Sequence, residues 1–249
     1  MTRQRKGRVV SHRPGPVARS ARAMNQRLLS HNEQLAKATK LHNSGRLEEA
    51  KAIYLSILDI YPGHVGIISL LATVYDQQGN IKESVNLIER TIRIKPDYAE
   101  GYYKLGSLMK QSGRLNDALM NYDKAIAIRS NYLEAINNRG TTLFGLGHYK
   151  EALDSFNKAI AIESNSAMIY HNRGLTLYHS GQYEEALASC NKAIGLAPDY
   201  ADAHYTISVI KLLLGQCEEG WKYYERRWQS PEAGEKRAFV QPLWVLAPD

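Results

Sequence analysis

Asn138 and Asn172 stand 34 residues apart, each directly before an Arg-Gly pair. A carboxamide carries donor and acceptor together, so it can pair with the backbone of a peptide of any sequence. Tyr103, Asn137, His171 and Tyr205 fill the preceding position in four successive blocks of 34. Together these six residues form a candidate stripe for holding an extended peptide segment. Lys104 and Thr206 replace the asparagine on either side, so the stripe has two amide rungs. The alternative use of such asparagines is to bond their own helix or water, and sequence leaves both open. Arg139 and Arg173 carry a similar choice. Each can reach toward a ligand and grip a carboxylate bidentately, or lay its stem along a helix interface and pair with a nearby Glu.

Other chemistry is not signalled. The chain has no phosphate-binding GxxxxGK[ST] loop, no GxGxxG, HExxH or GxSxG motif, and no CxxC pair. His171 and His179 lie eight apart, two helical turns, too far to share a metal ion. The acid pairs Glu48-Glu49, Glu184-Glu185 and Glu218-Glu219 fall where second helices begin, where negative charge complements the helix dipole. The expectation is a non-enzymatic protein without cofactor or metal.

The elements that position the stripe are announced by glycine. Gly45, Gly79, Gly113, Gly147, Gly181 and Gly215 repeat every 34 residues without a slip. A period of this size marks stacked supersecondary units, none able to bury its apolar face alone. Small residues keep the same time. Ala38, Ala72, Gly106, Gly140, Gly174 and Ser208 lie seven before each glycine, and Ala50, Ser84, Ala118, Ala152, Ala186 and Gly220 lie five after it. Small side chains at both places let two helices of a hairpin approach closely. Each block therefore reads as helix, glycine turn, helix and short exit, the glycine supplying a left-handed residue. Pro62, Pro96 and Pro198 mark exits, where they stop the second helix; Ser130 and Ser164 replace proline at two exits and are expected to soften them.

The lines NNRGTTLFGLGHYKEALDSFNKAIAI (137–162) and HNRGLTLYHSGQYEEALASCNKAIGL (171–196) resemble tetratricopeptide repeats. The resemblance covers six units. It implies an all-α, right-handed superhelical solenoid whose first helices line a concave groove that binds a protein or peptide partner. The asparagine pair resembles the ladder in the arm of O-linked N-acetylglucosamine transferases, where amides hold a peptide backbone. GWKYYERRW (220–228) followed by QPLW (241–244) resembles the junction between such an array and a glycosyltransferase domain in bacterial proteins. Here the sequence stops five residues after Trp244, so the expectation is an arm without its catalytic domain. The basic and asparagine set that clamps chaperone tails in some relatives finds no match beyond Asn138 or Asn172.

Charge divides the chain unevenly. Of 32 basic residues, eight fall in residues 1–32 with no acid among them, leaving 24 against 25 acidic in the rest. Residues 1–29 therefore read as a basic tail, 30–230 as the repeat array and 231–249 as a linker remnant. A short basic amphipathic helix within 17–28 and a Ser30/Glu33 capping box are expected at the tail's junction with the array. Eight positive charges can attach to nucleic acid or an anionic surface, but the tail lacks aromatic residues for stacking, which disfavours nucleic acid. Trp221, Tyr224 and Trp228 share one helical face, either a capping stripe or, if uncovered, a surface for self-association. Two cysteines, Cys190 and Cys217, and no apolar run of about 18 residues fit a cytoplasmic protein. The leading functional expectation is an interaction scaffold of micromolar affinity, about −8 kcal/mol. The substrate-recognition arm of a glycosyltransferase is the alternative.

Overall fold

A computed structural model describes residues 32–226, all of whose regular elements are α-helices. These residues fall into two compact units that divide after Pro96. In the first unit, α1 (residues 32–43) pairs with α2 (Leu47–Ile60), and α3 (Val65–Gln77) with α4 (Ile81–Ile94). The second unit pairs α5 (Ala99–Gln111) with α6 (Leu115–Ile128), α7 (Leu133–Gly145) with α8 (Tyr149–Ile162), and α9 (Ala167–His179) with α10 (Tyr183–Leu196). It ends with α11 (Ala201–Leu213) against α12 (Cys217–Arg226). The expected tail helix, the capping box and the linker remnant fall on or across residues 1–31 and 227–249, outside the described residues, as does Trp228.

All six periodic glycines occupy the bends between paired helices, with φ between 74° and 80°. Around Gly147 the amide of Gly147 donates to Phe144 O at 2.9 Å and that of His148 to Leu143 O at 2.9 Å. These bonds consume carbonyls that the end of α7 would otherwise leave open, and they require a left-handed residue between them. Within each hairpin the small residues are buried against large ones. A Cβ on Gly140 would stand 2.7 Å from the Phe156 ring, one on Gly106 2.8 Å from Tyr122, and one on Gly174 2.5 Å from Cys190 Sγ. Each pair lies 16 residues apart, one partner on each helix, so a residue lost on the first helix is filled from the second.

Exits between hairpins are four residues long whether or not they contain proline. Arg129 N–H donates to Ala125 O and Glu163 N–H to Ala159 O, both at 2.9 Å, as Lys95 N–H does to Thr91 O at 2.8 Å. Ser130 and Ser164 therefore keep the same exit length and the same closing hydrogen bond as the proline-containing exits. The backbone N–H···O hydrogen bond closes the last turn with or without proline. In the first unit, Ala38, Tyr54, Ile57, Ile67, Ile68 and Leu71 form a core between α1, α2 and α3. Separate clusters in the second unit join Ile136, Phe156 and Ile169, then Cys190, Ala203 and Ile207. Burial is thus distributed along neighbouring helices, as expected of stacked repeats.

Candidate functional site

Second-unit first helices are stapled by side chains 35 residues apart. Asn138 Nδ2 donates to the Tyr103 hydroxyl at 3.4 Å, and Asn172 Nδ2 donates to Asn137 Oδ1 at 3.3 Å. His171 Nε2 meets Thr206 Oγ1 at 3.2 Å. A step of 35 is one repeat plus one residue, which turns the upper side chain toward the helix below. The six stripe residues are thereby split. Asn137 and His171 are 7% and 8% exposed, and Asn137 Oδ1 and His171 Nε2 are spent on neighbouring first helices. Tyr103, Asn138 and Asn172 are half-buried, and Tyr205 is 47% exposed beside Tyr224. Asn138 sits between the Tyr103 and Tyr122 hydroxyls. Asn172 keeps its carboxamide oxygen unpaired among the described residues.

Sequence reading missed the groups around this ladder. Lys110 Nζ donates to Thr141 Oγ1 at 2.6 Å with no carboxylate beside it, and burial lowers its pKa. Phe144 and His179, again 35 apart, stack edge-on at 5.1 Å, and Tyr149 and Tyr178 complete an aromatic group at the helix ends. For Phe144 and His179 the signal was the same 35-residue step, which a comparison of identical residues 34 apart does not register; Lys110 and Thr141, 31 apart, follow no such step.

Arg139 and Arg173 point the other way, toward the second helices. Arg139 Nε donates to Asp123 on α6 at 2.6 Å and Nη1 to Ser155 on α8 at 2.7 Å. Arg173 Nε donates to Asn157 at 2.8 Å and Nη1 to Ser189 at 3.3 Å. Both lie along helix interfaces, but the expected Glu partner is replaced by Asp123 in one case and by a neutral amide in the other. A cleft of about 290 Å³ opens beside Arg139, lined also by Ile126, Ile136, Asp154 and Lys158.

At the chain's described end, Gly220 of α12 packs against Leu212, and Tyr223 tilts over His204 at 5.8 Å. Trp221 turns outward, 50% exposed, edge-on to Tyr224 at 5.4 Å. His204 Nε2 bonds to Pro198 O at 2.7 Å. Among the described residues no group of three or more His, Cys, Asp or Glu side chains is placed to hold a metal ion. No described helix is long and apolar enough to cross a membrane.

Three tetratricopeptide repeat family models match residues 41–108, 97–163 and 167–200, together more than half of the chain. The chain belongs to the tetratricopeptide repeat proteins. Solved tetratricopeptide structures share its fold. PilF of Pseudomonas aeruginosa superposes with a TM-score of 0.72 at 14% identity, over 82% of this chain and 93% of that one. MamA from Desulfovibrio magneticus RS-1 gives 0.63 at 19%, over 66% and 93%. YrrB, described as a TPR protein with an unusual peptide-binding site, gives 0.61 at 17%, over 71% and 91%. Comparison with curated protein sequences gives no match. Tetratricopeptide arrays of this kind serve protein–protein interaction.

Proposed function

We propose that the second unit is a scaffold that binds an extended peptide segment along its first helices, with no chemistry of its own. The observation that carries this is the half-buried Asn172 amide, whose acceptor is unspent and whose neighbours on the first helices include exposed Met168 and half-buried Leu175. An amide pairs with main chain of any sequence, and apolar neighbours select side chains. Tyr103, Asn138 and Tyr205 extend the contact along the stripe. Asn137 and His171 support it from within, as the residues against which Asn172 and Thr206 are braced. The likeness to YrrB, whose description names a peptide-binding site, supports the same reading.

Peptides selected from a random twelve-residue library against the full chain supply the probe. Asn138→Ala with Asn172→Ala is expected to weaken the selected peptide at least about tenfold, or 1.4 kcal/mol. Helical circular dichroism should persist. Unchanged affinity would remove the first-helix face from the function. Serving as the recognition arm of a glycosyltransferase remains a proposal resting on residues 220–228 and 241–244. Turnover of a sugar nucleotide by the purified chain would contradict the absence of catalysis proposed here.

A further inference from the structure

The second-helix face carries a different and independent signal, visible by comparing one repeat with the next. Beside Arg139 the cleft balances its charge: Arg139 and Lys158 are met by Asp123 and Asp154. Arg139 spends its Nε on the Asp123 carboxylate in an ion pair at 2.6 Å. One repeat later the cations are kept and the acids are gone. Arg173 and Lys192 stand at the places of Arg139 and Lys158, while Asn157 replaces Asp123 and Ala188 replaces Asp154.

The geometry of the arginine is nonetheless preserved. Arg173 is held by Asn157 Oδ1 at 2.8 Å and by Ser189 Oγ at 3.3 Å, and Ser189 is in turn anchored to Tyr170 O at 3.0 Å. A guanidinium carries five N–H donors, and here the Nη2 donors have no partner among the described residues. Lys192 is exposed and makes no ion pair among them either. A positioned guanidinium without a counter-ion, with an ammonium on the adjoining helix one turn beyond its Ser189 partner, is the arrangement that takes a carboxylate or phosphate with charge-assisted bonds.

We propose that the surface around Arg173 and Lys192, between α8 and α10, is an anion site that receives a carboxylate or phosphate group from an acidic partner peptide. It is turned toward the second helices, whereas the asparagine ladder joins first helices, and it does not depend on that ladder. The array would then grip two segments, one by main chain and one by charge. Asn157 serves as a neutral orienting residue, fixing the guanidinium plane without neutralising it.

The test reads the site directly, because residues 1–32 carry eight further cations whose charge would contribute to any bulk measure of anion binding. In the full chain labelled with ¹⁵N-arginine, the Nε–H signals of Arg139 and Arg173 are followed during titration at constant ionic strength. The probes are sodium phosphate and a hexaglutamate peptide. The Arg173 signal is expected to shift and saturate while Arg139 stays fixed. Saturation by phosphate alone assigns a phosphorylated side chain as the source, and by hexaglutamate an acidic one. Restoring the lost acids by Asn157→Asp with Ala188→Asp, both at exposed positions, should weaken the response at least about tenfold. Removing them from the earlier cleft by Asp123→Asn with Asp154→Ala should make Arg139 respond. No saturable shift at Arg173 up to about 50 mM, an equal response at Arg139, or a response untouched by the restored acids would each overturn the proposal.

Discussion

His171 shows how a polar residue is used in this stack. It lies buried between α9 and α11, bonded to Thr206 and edge-on to Tyr200 at 5.2 Å. Burial lowers its pKa below the ordinary imidazole value of 6.5, with the Asp202 carboxylate pulling weakly the other way. A base whose folded pKa is depressed binds more protons unfolded, so its contribution is intact above about 6.5 and is lost as pH falls through the folded value. The urea midpoint of the wild type should therefore fall below pH 6.5 more steeply than that of His171→Gln, the carboxylates common to both cancelling. Parallel curves would show that the imidazole is not held neutral. Cysteines divide in the same way. Cys190 is fully buried against Gly174 and its thiol pKa is pushed up to about 12 by burial, whereas Cys217 is exposed. Only the thiolate reacts, so native protein should consume one equivalent of an aromatic disulfide reagent quickly. Cys217→Ser should abolish that phase, and the second equivalent should appear only on denaturation.

At the level of the helix, two kinds of glycine do separate work. Gly147 has open space where a Cβ would stand, but its φ of +77° strains any L-residue. Gly147→Ala should cost about 1–2 kcal/mol from conformation alone. Gly140 has ordinary helical geometry and no room, with the Phe156 ring only 2.7 Å from the missing Cβ. Gly140→Ala should cost roughly 1–3 kcal/mol by overpacking, less up to about 1 kcal/mol of gained helix propensity. Adding Phe156→Leu should recover part of that loss, whereas it should add to the Gly147→Ala loss. Urea melts of the four proteins distinguish the two mechanisms. Hairpin boundaries were legible in the sequence because turn glycines and small residues encode local geometry. The amide ladder was legible only by residue type. Whether Asn137 or Asn138 faces solvent depends on the rotation of α7 against α5 and α9, which a 34-residue comparison averages away. Arg139 likewise reveals its partners only through steps of 16 to second helices on both sides.

Taken whole, the chain distributes its charge unevenly. Residues 1–32 carry eight of the basic residues, and the rest is nearly neutral. Within the second unit that near-neutrality hides a local imbalance, since Asp123 and Asp154 have no counterpart one repeat later. Composition could not expose this, because it sums over helices that never meet. The two compact units divide after Pro96, so a chain of residues 97–249 should keep helical circular dichroism and a cooperative melt. Loss of both would mean that its repeats draw stability from the first unit, as nearest-neighbour stacks can.

The four-residue exits of uniform length carry a consequence for how such a protein can vary in size. Excising residues 133–166 would splice Tyr132 onto Ala167, leave Gly113 and Gly181 34 apart, and bring Asn172 to the 35-residue step from Tyr103. A tyrosine–asparagine bond like the present one would be re-formed across the seam. Removing 33 or 35 residues would instead rotate every later helix by about 100° and scatter both its buried and its polar stripes. The protein can thus be shortened or lengthened like a ruler cut only at its marks, and inheritance by duplication of whole blocks is the change its geometry tolerates.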